Sequence, residues 1–449
     1  MLSRIFVWSV LFELMMIFTI PVFGQRPSVS RFIQVFVLIS LVIKWFSSTR
    51  LYKLKVVNIF HSNYKYFTLY FLLAIFSGFI GVFLGAYSVD KNLSDINELA
   101  SARTLMSPIE NAILEYIITL YYFVYFTILS VFLLESEENI NYFFSCFKFI
   151  FVVCLVIGFI DFGFSSSGYF ILPSDIARGG NVGDRFHGLA GEPRDAFVFL
   201  FLGLATLYLQ AIFRGVVLSK WWLLAVIAAA ILTKSSSGLI GILIFLALYS
   251  GYIFSRFRVL QIFKVTALTF GIACFLYFSV ISSDRTMLYV QNLSSVWNAL
   301  EAGRELPFPI SVQGYNIYPV YELTVKFRNL NFWPIFFGSG FGSASVVNNS
   351  YIAGYYWVSN PHSQFVRTIY ETGIIGTLLF VFSFYYPVKY QTQNLAIKQK
   401  DLLILLIFLL IGLYFGHRHS AIYIFLGVFL AAFRILNRNK MKNSELKKY

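Results

Sequence analysis

The sequence has 449 residues, of which 58% are hydrophobic and 12% are charged, and the charged share is about half that of a soluble protein. This composition excludes a soluble globular domain, because one core cannot bury so many apolar side chains. The formal net charge of +14 is spread along the chain, which argues against a nucleic-acid partner and favours a membrane topology.

Apolar runs recur along the whole sequence, and each is long enough to cross a bilayer, which takes about 20 helical residues. They predict one integral membrane domain over residues 1–449, an all-α polytopic bundle of about twelve transmembrane helices. The first run is interrupted by Glu13 and is interpreted as a retained helix, not a cleaved signal peptide. The spans are predicted near 3–23, 31–47, 66–87, 110–134, 142–163, 195–213, 216–233, 237–255, 262–282, 364–387, 401–416 and 420–436.

Along the chain, short connections with basic residues alternate with connections that lack them. The positive-inside rule assigns the basic ones to the cytoplasmic side. The sequence therefore predicts a multi-pass inner-membrane protein with both termini in the cytoplasm and a basic cytoplasmic tail at 437–449. The basic connections contain Arg50, Lys53, Lys55, Lys65, Arg214, Lys220, Arg256, Arg258, Lys264, Lys389, Lys398 and Lys400. The cysteines lie in apolar runs, which indicates neither a disulfide framework nor a thiolate metal site: Cys146, Cys154 and Cys274.

Two connections are too long to be simple turns, 164–194 and 283–363, and the alternation puts both on the extracytoplasmic side. Long loops are where function is expected. The second, larger loop contains apolar residues at helical spacing, which predicts an amphipathic helix that lies on the membrane or caps the bundle: Val320, Leu323, Phe327 and Leu330.

Basic residues also gather in these two outer loops and at the neighbouring helix ends. Each taken alone fits a solvated surface, since long loops translocate regardless of charge. Several lie beside predicted span ends, where a guanidinium matches phosphate oxygens bidentately, so a lipid diphosphate is the anion expected there. The group consists of Arg178, Arg185, Arg194, Arg285, Arg304, Lys326, Arg328 and Arg367.

Each long loop ends in a turn that leads into a helix. In the first, Glu192 or Asp195 either caps the helix that follows or contributes to a site. In the second, His362 lies at the helix entrance, and Glu371 follows within the predicted span. Ionisable residues at membrane depth indicate function by default, and Arg367, one helical turn before Glu371, is its predicted partner.

Four segments along the chain resemble, in order, the motifs of the O-antigen ligase and polymerase superfamily. They are Arg185-x-x-Gly188 with Glu192-Pro193, Arg285 followed by Trp297, Gly338-Ser-Gly340-Phe-Gly342, and His362-Ser363 with Glu371-x-Gly373-x-x-Gly376. The resemblance covers most of the chain from residue 180 onward. The N-terminal part matches this superfamily as generic spans.

This resemblance implies a GT-C-like glycosyltransferase of a bacterial inner membrane. It implies an inverting transfer without metal or other cofactor, in which an acceptor hydroxyl attacks the anomeric carbon of an undecaprenyl-diphosphate-linked oligosaccharide and expels the lipid diphosphate. His362 is then the catalytic base, since an imidazole accepts a proton near neutrality. The other implied roles are catalytic for Glu371, diphosphate binding for Arg185, Arg285, Arg194 and Arg367, and glycan binding for Glu192, Arg304 and Arg328.

The acceptor distinguishes two activities within this superfamily. A polymerase adds the growing glycan to a lipid-linked repeat unit, whereas a ligase transfers the finished glycan to a lipid A core. Glu192-Pro193 looks more like polymerase sequences, and the loop at 283–363 is long enough to shape an acceptor groove, so we favour the polymerase. The sequence leaves open whether the product is O-antigen or capsule and whether a chain-length regulator protein binds.

Two readings of other classes compete with the enzyme. A flippase or transporter for the same lipid-linked oligosaccharide also needs many spans and basic residues, but it concentrates charges near the midplane, often in repeated halves. Here the charges are predicted at one face and no repeat is evident. A scaffold with incidental arginines is the other alternative, and it predicts that His362→Ala and Arg285→Ala leave the polymer unchanged.

Overall fold

Every secondary structure element in the described residues is a helix, which confirms the all-α class for that part of the chain. The structure is a computed structural model of the full sequence. It describes residues 1–15, 28–47, 64–87, 108–165, 167–169, 171, 185–190, 193–234, 294, 298, 332–344, 364–393, 395, 399–415 and 420–446.

Helices α1 to α5 come from the N-terminal part of the chain. They are α1 Leu2–Leu14, α2 Val29–Phe46, α3 Lys65–Phe83, α4 Pro108–Tyr122 with its continuation through Phe123–Ile128 to Leu129–Leu133, and α5 Glu137–Ser165. The middle segment of α4 is π-helical, a local widening of the helix that is frequent at functional sites. The start of α2 is set by Ser28, whose side chain accepts a hydrogen bond from the backbone N–H of Ser30.

The second part of the chain contributes a 3₁₀ turn and six helices to the described residues. They are the turn Gly188–Ala190, α6 Pro193–Arg214, α7 Lys220–Leu232, α8 Phe332–Phe337, α9 Gln364–Thr392, α10 Gln399–Phe415 and α11 Ser420–Leu446. Proline suits the first position of α6, where its missing N–H is not needed. Gly215, with φ of 66°, ends α6 and turns the chain toward α7.

Seven helices in the described residues are long and apolar enough to cross a membrane. They are Val29–Phe46, Lys65–Phe83, Ala112–Leu133, Glu137–Ser165, Asp195–Arg214, Gln364–Thr392 and Ser420–Lys440. The predicted count of about twelve spans stays a prediction. Three of the predicted spans correspond to α1, α7 and α10, whose described lengths of 13, 13 and 17 residues fall short of the seven longer helices, and the runs at 237–255 and 262–282 lie outside the described residues. The amphipathic helix predicted near 320–330 lies outside them as well.

The helices differ strongly in how much of their surface is covered. In α6 and α11, 78% and 83% of the span is buried, whereas in α2 only 17% is. Large apolar side chains such as Phe36 and Ile43 are more than half exposed on α2, a pattern that is rare on soluble monomers and expected on a lipid-facing surface. The core therefore lies around α6 and α11, with α2 and α3 at the periphery.

A buried polar network attaches the first two helices to α4. Arg31 donates to Glu13 at 2.8 Å and to the hydroxyl of Tyr122 at 3.2 Å. The other Glu13 oxygen accepts from Ser30 at 2.5 Å and from Gln34 at 3.0 Å. We call this group the Arg31 network. It pairs one guanidinium with one carboxylate whose two oxygens are both satisfied, so it is formally neutral.

Contacts between helix termini define two ends of the bundle. At one, which we call the basic end, Arg4 of α1 pairs with Glu138 at 3.1 Å. Arg214 of α6 donates to Asn141, and the terminal turns of α9 and α11 also meet there. The described residues of the predicted basic connections lie at this end, as Lys65 beside Tyr386 of α9 illustrates, and the cytoplasmic orientation of this end stays a prediction. The start of α9 and the glycine-rich segment at 338–342 lie at the opposite end.

Candidate functional site

A buried cluster of three ionisable side chains lies near the start of α9, opposite the basic end. The Nε atom of Arg367 donates to Glu371 Oε1 at 2.8 Å, so the predicted pairing of these two residues is present. The Nη2 atom of Arg367 forms an ion pair with Glu115 of α4. All three residues are at most 2% exposed, and we call them the Arg367 cluster. Charges this deep are expensive to bury and mark a site by default.

The glycine-rich segment Gly338–Gly342 wraps around Glu371. The backbone N–H of Ser339 donates to the Tyr370 carbonyl at 2.8 Å, and that of Gly340 donates to the Glu371 carbonyl at 3.2 Å. The Glu371 carboxylate accepts hydrogen bonds from the backbone N–H groups of Gly342 and Ala344. Two motifs that are separated in the sequence therefore form one structure, in which Glu371 is held by a guanidinium and by backbone donors.

A kink in α9 makes this wrapping possible. Gly373 has φ of 67° and ψ of −169°, which interrupts the helix just after Glu371. The carbonyls of Tyr370 and Glu371, which would accept from the next turn of an unbroken helix, accept from the glycine-rich segment instead. A Cβ atom on Gly373 would collide with the backbone of Phe336. The kink therefore depends on glycine, both for its φ angle and for the close approach.

Helix α3 supplies the third wall of the site. A Cβ atom on Gly81 would lie 2.6 Å from the Ser339 carbonyl oxygen, so glycine allows the two backbones to approach. Just beyond α3, the Tyr87 hydroxyl donates to the Phe341 carbonyl at 2.6 Å. Burial raises the pKa of Tyr87 above its ordinary value, so its hydroxyl stays a donor at working pH. The ring centroid of Phe341 lies 5.8 Å from the guanidinium carbon of Arg367.

A second buried pair lies at the same end and was not predicted. His187 Nε2 lies 3.1 Å from Asp161 Oδ2, and the side chains are 7% and 2% exposed. The other Asp161 oxygen accepts from the backbone N–H of Ile171 at 3.0 Å, and His187 Nδ1 lies 3.2 Å from the Gly188 carbonyl oxygen. Asp161 is an acidic residue near the end of an apolar span, and that position was the available signal in the sequence.

Arg185 lies beside this pair and contacts the C-terminal end of α7. Its Nε atom donates to the Thr233 carbonyl at 3.0 Å and its Nη2 atom to the Lys234 carbonyl at 3.2 Å. The backbone N–H of Phe186 donates to the Leu232 carbonyl at 2.8 Å. A cation at a helix C-terminus is favourable, because the last carbonyls lack helical partners and carry negative partial charge. Arg185 therefore stabilises the end of α7, whether or not it also contacts a ligand.

The side chains of the other predicted site residues lie outside the part of the chain that the structure describes. Arg194 belongs to the first turn of α6, and its side chain is not among the described ones. The proposed base and most of the proposed ligand-binding residues lie outside the described residues: His362, Arg285, Glu192, Arg304 and Arg328. The structure thus brings Arg367 and Glu371 together with Glu115, and the roles predicted for the site residues stay predictions.

The described arrangement fixes the start of α9, and the Glu371 carboxylate is its central group. Glu371 can accept a hydrogen bond or hold a neighbouring cationic group, and its position is set from three sides. Within the described ranges, no group of three or more His, Cys, Asp or Glu side chains could hold a metal ion.

The resemblance to the ligase and polymerase superfamily rests on the motifs and their order. Comparison of the sequence with protein-family models and with curated proteins gave no match for this chain. The function therefore has to be inferred from the residues and their geometry.

Proposed function

We propose that this protein polymerises a surface polysaccharide, O-antigen or capsule, at the outer face of a bacterial inner membrane. It would transfer the growing glycan from undecaprenyl diphosphate to a lipid-linked repeat unit. One observation carries the proposal: the glycine-rich segment and the Glu371-x-Gly373 segment, two motifs of the resemblance, pack directly against each other. They do so at the end of the bundle opposite the basic end, where the outer face is predicted.

The proposed reaction needs a base and a way to stabilise the departing diphosphate. An acceptor hydroxyl attacks the anomeric carbon, its proton passes to His362, and the bond from that carbon to the diphosphate oxygen breaks with inversion. General base catalysis of this kind contributes roughly 10²–10⁴-fold. Arg285 is the proposed principal partner of the diphosphate, with Arg185 and Arg194 beside it, because guanidinium groups stabilise developing negative charge without a metal.

The Arg367 cluster is assigned a positioning role in this scheme. Arg367 is paired with Glu371 and with Glu115, so two carboxylates already occupy the guanidinium and disfavour a further anion. We therefore infer that Arg367 holds the start of α9 instead of binding the diphosphate. His362 precedes that helix by two residues, and the orientation of α9 would set the direction in which the chain delivers the base.

The direct test uses the purified full chain and a synthetic undecaprenyl-diphosphate-linked repeat unit. The expected product is a ladder of lipid-linked glycans without added metal or nucleotide, and His362→Ala and Arg285→Gln should abolish it. Arg438→Gln is the matched control, since it removes one cation at the basic end. A normal ladder from His362→Ala and Arg285→Gln would contradict the roles proposed for these two residues. No ladder from the unsubstituted chain would contradict the proposed activity and favour a scaffold.

The ligase alternative is separated from the polymerase by deleting the protein in cells. If it is a polymerase, the lipid A core carries single repeat units, because the ligase of the cell still acts. If it is a ligase, full-length chains accumulate on the carrier lipid. A polysaccharide gel distinguishes the two patterns.

A lipid-linked oligosaccharide flippase is the second candidate, and two observations favour it. Helix α9 is broken beside a buried arginine and two buried glutamates, and α4 contains a π-helical segment. Broken helices with buried charges are typical of transporter sites. Vesicles that contain the protein and a labelled lipid-linked oligosaccharide would decide: translocation without polymer formation would replace the polymerase proposal.

A further inference from the structure

A cleft of about 200 Å³ opens at the basic end of the bundle, between α5, α6 and α7. It lies at the opposite end from the Arg367 cluster and plays no part in the proposed glycan transfer. The side chains that matter for its chemistry are those of Lys148, Leu207, Gln210, Arg214, Ser219 and Trp222.

Two cations define the rim of this cleft. The described lining residues include Lys148 and Arg214 and no acidic residue. Arg214 donates to the neutral Asn141 side chain at 3.3 and 3.4 Å, and the Lys148 ammonium lies 5.9 Å from the ring centroid of Trp222. Within the described residues, neither cation forms a salt bridge, so the rim keeps its positive charge.

Most of the residues that line the cleft are apolar, and the surrounding surface has the composition of a membrane interface. Leu207 is 3% exposed and belongs to the core. In contrast, Val217 and Trp221 are 96% and 78% exposed on the turn between α6 and α7 and at the start of α7. Tryptophan beside basic residues is characteristic of the level of the lipid headgroups. The cleft therefore combines an apolar wall with a cationic rim at that level.

We propose that this cleft binds an anionic phospholipid, with its phosphate between Lys148 and Arg214 and the start of an acyl chain against Leu207. Ammonium and guanidinium groups both bind phosphate oxygens, and basic pockets between transmembrane helices on the cytoplasmic side suit anionic headgroups. A zwitterionic lipid fits less well, because its own cationic group would lie near the two basic side chains. The bound lipid would bridge α5 and α6 and so stabilise the bundle.

The test titrates the purified full chain in neutral detergent with phosphatidylglycerol, phosphatidylcholine or inorganic phosphate, and follows thermal unfolding. We expect phosphatidylglycerol alone to raise the Tm saturably. In the double variant Lys148→Gln/Arg214→Gln, the apparent Kd for this lipid should rise about 30-fold. The matched control Lys65→Gln/Lys389→Gln removes two other cations of the basic end and should leave the Kd unchanged.

A single variant covers the case in which the double variant does not fold. Ser219 is the exposed N-cap residue of α7, and aspartate is an equally good N-cap. Ser219→Asp should keep the helix and weaken phosphatidylglycerol binding by repulsion. Equal weakening in the control double variant would overturn the proposal, as would a Tm response to inorganic phosphate as large as that to the lipid, or unchanged binding by Ser219→Asp.

Discussion

Two arginines that pair with carboxylates inside the helical bundle have different surroundings, and the contrast indicates where function is expected. Arg31 pairs with one carboxylate, and its side chain is 37% exposed. Arg367 pairs with two carboxylates, and its side chain is 3% exposed. The Arg31 network is formally neutral, and hydrogen bonds within and between neighbouring helices satisfy it. The Arg367 cluster carries an extra carboxylate and is enclosed by a glycine-rich segment from a long loop.

The difference indicates two kinds of polar group inside a helical bundle. A neutral, locally satisfied network such as that of Arg31 attaches peripheral helices to the core and needs no further explanation. The Arg367 cluster is costly to build. It buries two carboxylates beside one guanidinium, next to a kinked helix whose Glu371 carboxylate faces backbone donors. We therefore expect substitutions in the two groups to separate stability from activity.

The largest effect is expected from Arg367→Met, which leaves Glu115 and Glu371 buried without their cation. Breaking a buried ion pair in this way costs about 3–5 kcal/mol, so the free energy of unfolding should fall by that amount and polymer should disappear. Thermal unfolding in detergent and a polysaccharide gel measure the two effects.

A compensated variant separates charge from function in the same cluster. Glu115→Gln/Arg367→Met/Glu371→Gln removes all three charges, and most of the stability should return because no unpaired charge is left buried. Polymer should still be absent. If this variant makes polymer of normal length, the Arg367 cluster is structural in the same sense as the Arg31 network.

Gly373→Ala tests the kink that distinguishes α9. The φ angle of 67° and the nearby Phe336 backbone both disfavour a side chain, so we expect a loss of about 1–3 kcal/mol together with strongly reduced polymer. Gly163→Ala is the matched control, since a Cβ at Gly163 of α5 meets no atom within 4 Å. Wild-type activity from Gly373→Ala would show that the kink is dispensable.

Arg31→Met should lower stability less than Arg367→Met does, and it should leave polymer formation intact. It removes charge-assisted hydrogen bonds to Glu13 and Tyr122, and partial exposure reduces their value to about 1–2 kcal/mol. The Tm should fall while polymer length and amount stay normal at permissive temperature. If folded Arg31→Met protein makes no polymer, Arg31 is needed for activity as well, and the contrast between a stabilising Arg31 and a functional Arg367 is wrong.

Tyr87→Phe should have the smallest effect. It deletes the hydrogen bond to the Phe341 carbonyl, worth about 1 kcal/mol, and leaves the ring in place. Because burial raises the pKa of Tyr87, its hydroxyl stays protonated through neutral pH, and the pH profile of polymer formation should not change. Tyr169→Phe, at a tyrosine that is 72% exposed, is the control for the Tm measurement.

Much of the helical framework was predictable, and the reasons are local. Of the eleven described helices, all except α8 overlap a span predicted from an apolar run. The boundaries of α2 and α6 differ from the predicted ones by at most two residues. The extension of α5 back to Glu137 was not predicted, because its first turns are polar. The kink at Gly373 was not predicted either, since the glycine pattern alone does not show which partner requires it.

The sequence by itself determined the membrane-compatible helical class and the Arg367–Glu371 pair, because periodicity and a spacing of four residues are properties of a single helix. The tertiary structure decided that Glu115 completes that pair, that Asp161 meets His187, and that Arg185 covers the end of α7. These contacts join segments far apart in the chain. They depend on how the helices are rotated and packed against one another, and no local pattern encodes that rotation.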